Sequence, residues 1–139
     1  MNIEQKILNY KKELDYFDDP MDRYKYLLDQ GAKLEDFPNE LRTDVFLVSG
    51  CQAQVWLVPK YENKLVSFQC DSDAFISKGM VAILANIYGN ETPKDIVESD
   101  EKKLSILGID NILTPSRRNG VYSMLNYIKK YAKSYMLKN

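Results

Sequence analysis

The segment Val48-Ser49-Gly50-Cys51-Gln52-Ala53-Gln54-Val55-Trp56-Leu57 places a thiol just before an apolar run. A cysteine that only fills a core behaves as a small hydrophobe and belongs inside such a run. Here a glycine loosens the backbone before Cys51, and two amides separated by an alanine follow it, a composition typical of turns. A thiol presented on a turn has nucleophilic chemistry open to it, and the thiolate is the reactive form. On the residues alone, a nucleophile and a buried structural cysteine both remain readings of Cys51.

The chain contains no histidine. That removes Cys-His and Ser-His-Asp sites and imidazole metal centres together. A Cys51 thiolate would therefore depend on Arg or Lys, on backbone N–H groups of Ser49-Gly50-Cys51-Gln52, or on a helix N-terminus. Arg117 and Arg118 are notable because they fall in the first turn of the last expected helix, where the helix dipole opposes a cation by roughly 0.3–1 kcal/mol. A salt bridge to the acidic N-terminal region would explain them; so would a guanidinium facing the thiol loop or a partner's carboxylate. Cys70 stands beside Asp71 and Asp73, whose charges raise a thiol pKa, so it reads as structural, with a resolving role for Cys51 as the alternative. Asp71 and Asp73 are better explained as helix caps than as a carboxylate pair or metal site. Two cysteines have no zinc-ligand spacing and cannot, without histidine, complete a four-ligand site, so no metal is expected.

Composition sets the frame for these residues. With 139 residues, 45% hydrophobic and 28% charged, the chain has the make-up of one ordinary globular domain spanning 1–139. Its first residues mix charges with apolar side chains and lack the stretch of a secretory signal, so a mature start and a cytoplasmic protein are expected. Met80 to Tyr88, the longest nearly apolar segment, is far shorter than the roughly 20 residues of a membrane span. Residues 1–44 hold 11 acidic and 7 basic side chains, whereas 101–139 hold 8 basic and 2 acidic. Lys129, Lys130, Lys133 and Lys138 form a basic face of the kind that is ordinarily solvated, and nucleic-acid binding is not inferred from it.

Elements follow from spacing. Ile3, Ile7, Leu8 and Leu14 predict a helix over about 3–16, capped by Asn2 with Gln5 as capping-box partner. Asp19-Pro20 opens a second, with Met21, Tyr24, Leu27 and Leu28 as its stripe and Gly31 as its end. Val45–Val48, Val55–Val58 and Leu65–Cys70 predict a small antiparallel three-stranded sheet with a turn at 61–64, which puts Cys51 between its first two strands. Asp71-Ser72-Asp73 should cap a central helix bearing Ile76, Met80, Ile83, Leu84 and Ile87, closed by Gly89-Asn90. Thr92-Pro93 starts a short helix with Ile96 and Val97, and Leu104 and Leu107 suggest another before Gly108. Thr114-Pro115 opens the last, with Val121, Met124, Leu125, Ile128, Ala132 and Tyr135 facing inward. The fold class is α+β, the sheet packed against several helices.

Read together, GCQAQVW at 50–56, DSDA at 71–74 with Gly79, TPKDIV at 92–97 and LTPSRRNG at 113–120 resemble the SufE family of sulfur-acceptor proteins. The resemblance covers the chain from Pro38 to the last helix. It implies a fold similar to that of IscU-type scaffolds, with the motif cysteine on a loop at one end. It further implies that Cys51 accepts the persulfide sulfur of a cysteine desulfurase (SufS-like), stimulates that enzyme, and passes the sulfur to an iron–sulfur scaffold complex (SufBCD-like). Gly50, Gln52, Gln54 and Arg117 fall on motif positions as loop-shaping or partner-contact candidates. Pyridoxal phosphate would belong to the desulfurase, and this chain, which shows no phosphate-binding glycine loop, would carry no bound cofactor.

Sulfur transfer suits the composition, because thiolate attack on a persulfide needs no imidazole base once the thiol is ionised. The expected role is an accessory transpersulfidation protein rather than a stand-alone enzyme, monomeric or homodimeric. The competing reading is a non-catalytic adaptor that docks on a desulfurase or scaffold by surface shape alone. A labile persulfide should also be shielded in the free protein and presented on docking.

Overall fold

The computed structural model describes residues 1–137. Helix α1 (Ile3–Asp15) starts at Asn2, whose side chain accepts the Gln5 N–H while the Gln5 side chain accepts the Asn2 N–H. This reciprocal pair satisfies two donors that a helix start otherwise leaves open. Helix α2 (Pro20–Ala32) has Asp19 as its cap and proline at its first position, and runs one residue past Gly31. Of the apolar residues predicted to face inward, Leu8 and Met21 are exposed instead. Tyr10 takes an inward place on α1, its hydroxyl accepting from Asn86.

Among the described residues the sheet has two strands rather than three. Strands β1 (Val55–Glu62) and β2 (Leu65–Ser72) pair antiparallel, with Val55 opposite Ser72 and Glu62 opposite Leu65. They are joined through Asn63 and Lys64, both at positive φ, the conformation a two-residue hairpin loop needs to match strand twist. The segment expected as a further strand forms a 3-10 turn over Asp44–Phe46, leaving Val45 78% exposed. Only a bridge from Leu47 to Trp56 remains of the pairing. β-Branched residues favour a strand only where their side chains pack on a pleated face, and Val45 has none to pack on.

Helix α3 (Phe75–Tyr88) is the centre, touching α1, α2, both strands and the last helix. Ile76, Met80, Ile83, Leu84 and Ile87 are all buried, as their spacing predicts. Gly79 makes the α2 crossing possible: a Cβ there would sit 2.0 Å from the Leu27 carbonyl oxygen. At the C-terminal end Lys6 donates to the carbonyls of Asn86 (3.2 Å) and Gly89 (2.8 Å) and pairs with Glu91 at 3.1 Å. A cation there meets the carbonyls the helix leaves unpaired.

The cap of α3 departs from expectation. Its N-cap is Ala74, which makes no side-chain cap hydrogen bond. Asp71 and Ser72 complete β2, and Asp73 turns toward the Cys51 loop. Beyond α3 come α4 (Pro93–Glu98), capped by Thr92, a 3-10 segment over Glu101–Leu107 that buries Leu104 and Leu107, and α5 (Pro115–Met136). On α5, Val121, Met124, Leu125, Ile128 and Ala132 are buried. Tyr135 is partly buried and stacks on Tyr61 of β1, ring centroids 4.8 Å apart. No helix among the described residues is long and apolar enough to cross a membrane.

Candidate functional site

Residues 49–54 form a loop pinched at its base by the hydrogen bond from Val48 N–H to the Val55 carbonyl, 2.8 Å. Val48, Val55 and Trp56 are buried and fix that base in the core. The downstream root is tied to the start of α3: the Asp73 carboxylate accepts the Gln54 N–H, and the Gln54 carbonyl accepts from the Ser72 hydroxyl at 2.8 Å. Gln54 thus acts on the loop through its backbone.

Gly50 has φ +95°, a conformation L side chains rarely adopt, and a Cβ there would stand 2.4 Å from Ser123 Oγ on α5. Glycine at this position lets the chain reverse and lie against the helix. Cys51 is half-buried, and its thiol donates to the Gly120 carbonyl, 3.5 Å away. Burial pushes the Cys51 thiol pKa up from its ordinary value. Burial thus favours the protonated thiol over the thiolate in the free protein.

A recess of about 200 Å³ opens beside Cys51. Its apolar wall is Ile76, Met80, Val121 and Met124, and Gln52 and Arg117 lie on its lining. The Gln52 side-chain carbonyl accepts from the Ser116 hydroxyl at 3.2 Å. Arg117 donates to Tyr24 Oη at 3.4 Å and forms no ion pair among the described residues, so the salt bridge to the acidic N-terminal region is not what places it there. Arginine in the first turn of α5 instead puts a guanidinium beside the thiol recess. The structure brings Gly50, Cys51, Gln52 and Arg117 around one opening, with Gln54 at the loop's root.

Cys70 is 4% exposed on β2, opposite Leu57. Burial, with the charge of Asp71, pushes its thiol up to about 12, against a smaller opposing effect from Lys78. Asp71 is engaged by Arg42, whose Nε and Nη2 donate to one carboxylate oxygen at 3.0 and 2.8 Å, and by Lys78 at 3.5 Å. Among the described residues no group of three or more His, Cys, Asp or Glu side chains is placed to hold a metal. On the basic face, Lys129 donates to the Ser99 carbonyl at 2.7 Å and Lys130 lies over the Tyr127 ring; Lys138 falls outside the described residues.

The family model of SufE, described as an Fe-S metabolism associated domain, matches residues 9–132. The chain belongs to the SufE family. Among SufE relatives, the cysteine desulfuration protein SufE of Wigglesworthia glossinidia brevipalpis is 34% identical over 99% of this chain and 97% of its own length. A SufE-like protein of Rhizobium etli is 37% identical, covering 85% of this chain and 83% of its own length. One from Synechocystis is 37% identical, with 86% and 75% covered. The solution structure of a hypothetical protein from Thermus thermophilus superposes with a TM-score of 0.77 over 95% of this chain and 96% of that one. At 18% identity that likeness speaks for the SufE-type fold alone.

On α5 sequence reasoning found Arg117 but missed the residues that receive the loop. Ser116 and Gly120 lie inside the LTPSRRNG block, yet Ser123 and Tyr127 lie beyond any motif. The available signal was spacing: 116, 120, 123 and 127 share one helix face.

Proposed function

We propose that this chain takes the persulfide sulfur of a pyridoxal-phosphate cysteine desulfurase onto Cys51, stimulates that enzyme, and delivers the sulfur to iron–sulfur cluster assembly. The observation that carries the reading is the placement of Cys51: a half-buried thiol, on a loop reversed at Gly50, beside an apolar recess. Membership of the SufE family, and the cysteine desulfuration for which the Wigglesworthia relative is named, supply the chemistry such a thiol would perform.

In the transfer the Cys51 proton is lost to solvent as the loop docks. The thiolate attacks the terminal sulfur of the donor persulfide, a new S–S bond forms at Cys51, and the donor's S–S bond breaks. The donor cysteine leaves as a thiolate, so sulfur moves with no net oxidation or reduction. Gly50 and Gln52 shape the loop, the Gln54 backbone anchors it, and Arg117 offers a guanidinium to a carboxylate of the docked enzyme. In this reading pyridoxal phosphate belongs to the desulfurase, and this chain supplies only the accepting thiol.

Incubation with a desulfurase and cysteine should add about 32 Da per sulfur atom at Cys51, removable by reductant. Cys51→Ser should abolish both the adduct and stimulation of the desulfurase. Stimulation that survives in Cys51→Ser would establish a docking adaptor in place of an acceptor.

A further inference from the structure

Ser116, Gly120, Ser123 and Tyr127 lie on one face of α5. They meet the Cys51 loop residue by residue, in reverse order. Ser116 donates to Gln52, the Gly120 carbonyl accepts from Cys51, Ser123 packs against Gly50, and Tyr127 Oη lies 2.7 Å from Ser49 Oγ. The Ser49 N–H also points to Tyr127 Oη, at 3.4 Å. The loop is thereby laid along the helix, with a polar contact at each end and the thiol between them.

We propose that Tyr127 is a positioning residue for Cys51, its hydroxyl latching Ser49 so that the loop stays seated with the sulfur against α5. The proposal rests on the reading of Cys51 as the sulfur acceptor, and names what governs the availability of that thiol. The Tyr127 ring is itself held, tilted against Tyr131 and beneath Lys130 Nζ, which lies 5.5 Å from the ring centroid. Hydrogen bonds from Ser49 also lower the Tyr127 pKa, as expected of a phenol oxygen that accepts them. The latch is reachable from solvent, because Ser49, Ser123, Tyr127, Lys130 and Lys133 line one open groove of about 480 Å³. A docked protein that engages the groove can release the loop without disturbing the core.

The test is iodoacetamide modification of the free full-length chain, followed site by site by peptide mass spectrometry. Tyr127→Phe should raise the Cys51 rate on the order of fivefold, the equilibrium weight of one hydrogen bond. Ser49→Ala, which loses the hydroxyl but keeps the backbone N–H, should raise it by no more than that, and the double variant should not exceed Tyr127→Phe, since the phenol hydroxyl is common to both contacts. Ser49→Thr, which keeps the hydroxyl, should stay slow. Cys70 serves as the internal control, since general loosening would raise its rate along with that of Cys51. An unchanged Cys51 rate in Tyr127→Phe, additive effects in the double variant, or a parallel rise at Cys70 would each overturn the latch. This assay involves no sulfur donor, so its failure is distinct from failure of the 32 Da test.

Discussion

Asp73 and Gln54 hold each other at the root of the Cys51 loop: the Asp73 carboxylate accepts the Gln54 N–H at 2.9 Å, and the Asp73 N–H donates to the Gln54 carbonyl at 3.2 Å. An acidic side chain that the sequence places at a helix start is thus committed to a loop 19 positions upstream. Asp73→Ala should free the downstream half of the loop and cost about 1 kcal/mol or less, since the charge-assisted hydrogen bond it removes is exposed to solvent. Denaturant unfolding measures the cost, and amide exchange at Gln54 shows where it falls; protection there that equals the parent's would refute the anchor.

Gly50→Ala should be damaging for two separable reasons. The φ of +95° costs a residue with a Cβ about 1–3 kcal/mol, and the new methyl would meet Ser123 Oγ. Adding Ser123→Ala removes the hydroxyl but leaves the backbone strain, so the double variant should recover stability only in part. Full recovery would show that the backbone conformation is not the main constraint.

Because burial raises the Cys51 pKa, the thiol is protonated at neutral pH, and its alkylation rate should climb through a midpoint above the ordinary 9.0. The linkage has the corresponding sign: a folded-state pKa above the unfolded value favours the native state below that unfolded value, and the benefit fades as pH rises through the folded one. Alkylation rates from pH 6 upward test this directly. A midpoint at or under 9.0 would mean that some group stabilises the thiolate in the free protein.

Burial alone would raise the Asp71 carboxyl, but hydrogen bonds from Arg42 and from the Ser72 backbone, with the charge of Lys78, outweigh it and leave the pKa below 3.8. Asp71 therefore contributes stability above its unfolded pKa, and that contribution is lost as pH falls through the depressed value. Asp71→Asn should cost about 1–3 kcal/mol at neutral pH, with the gap to the parent narrowing in acid. Urea midpoints at several pH values would expose a constant gap if the ion pairing mattered little.

What was legible in the sequence was local. Asn2 with Gln5, Asp19 with Pro20, and Thr92 with Pro93 announce helix starts by chemistry confined to a few residues, and the structure has all three. The buried face of α3 follows from spacing for the same reason. Val45–Val48 misled because β-propensity expresses packing that a sequence does not display. Asp71 and Asp73 misled because a carboxylate before a helix has several possible donors, and here distant ones, Arg42 and the Gln54 N–H, take them. The loop around Cys51 stood out by composition, whereas on the face of α5 that receives it only Ser116 and Gly120 fall in a motif, and Ser123 and Tyr127 carry no local signal of a partner 70 or more positions upstream.

Met80 and Met124 give the recess beside Cys51 a vulnerability of its own. Their thioethers are soft and apolar, suited to a wall beside sulfur, yet a peroxide able to reach the thiol is close to them as well. A sulfoxide at either position would bring a polar oxygen into that wall. Oxidative ageing of this protein would then include damage that a thiol reductant leaves unrepaired, because returning a sulfoxide to methionine takes a dedicated reductase.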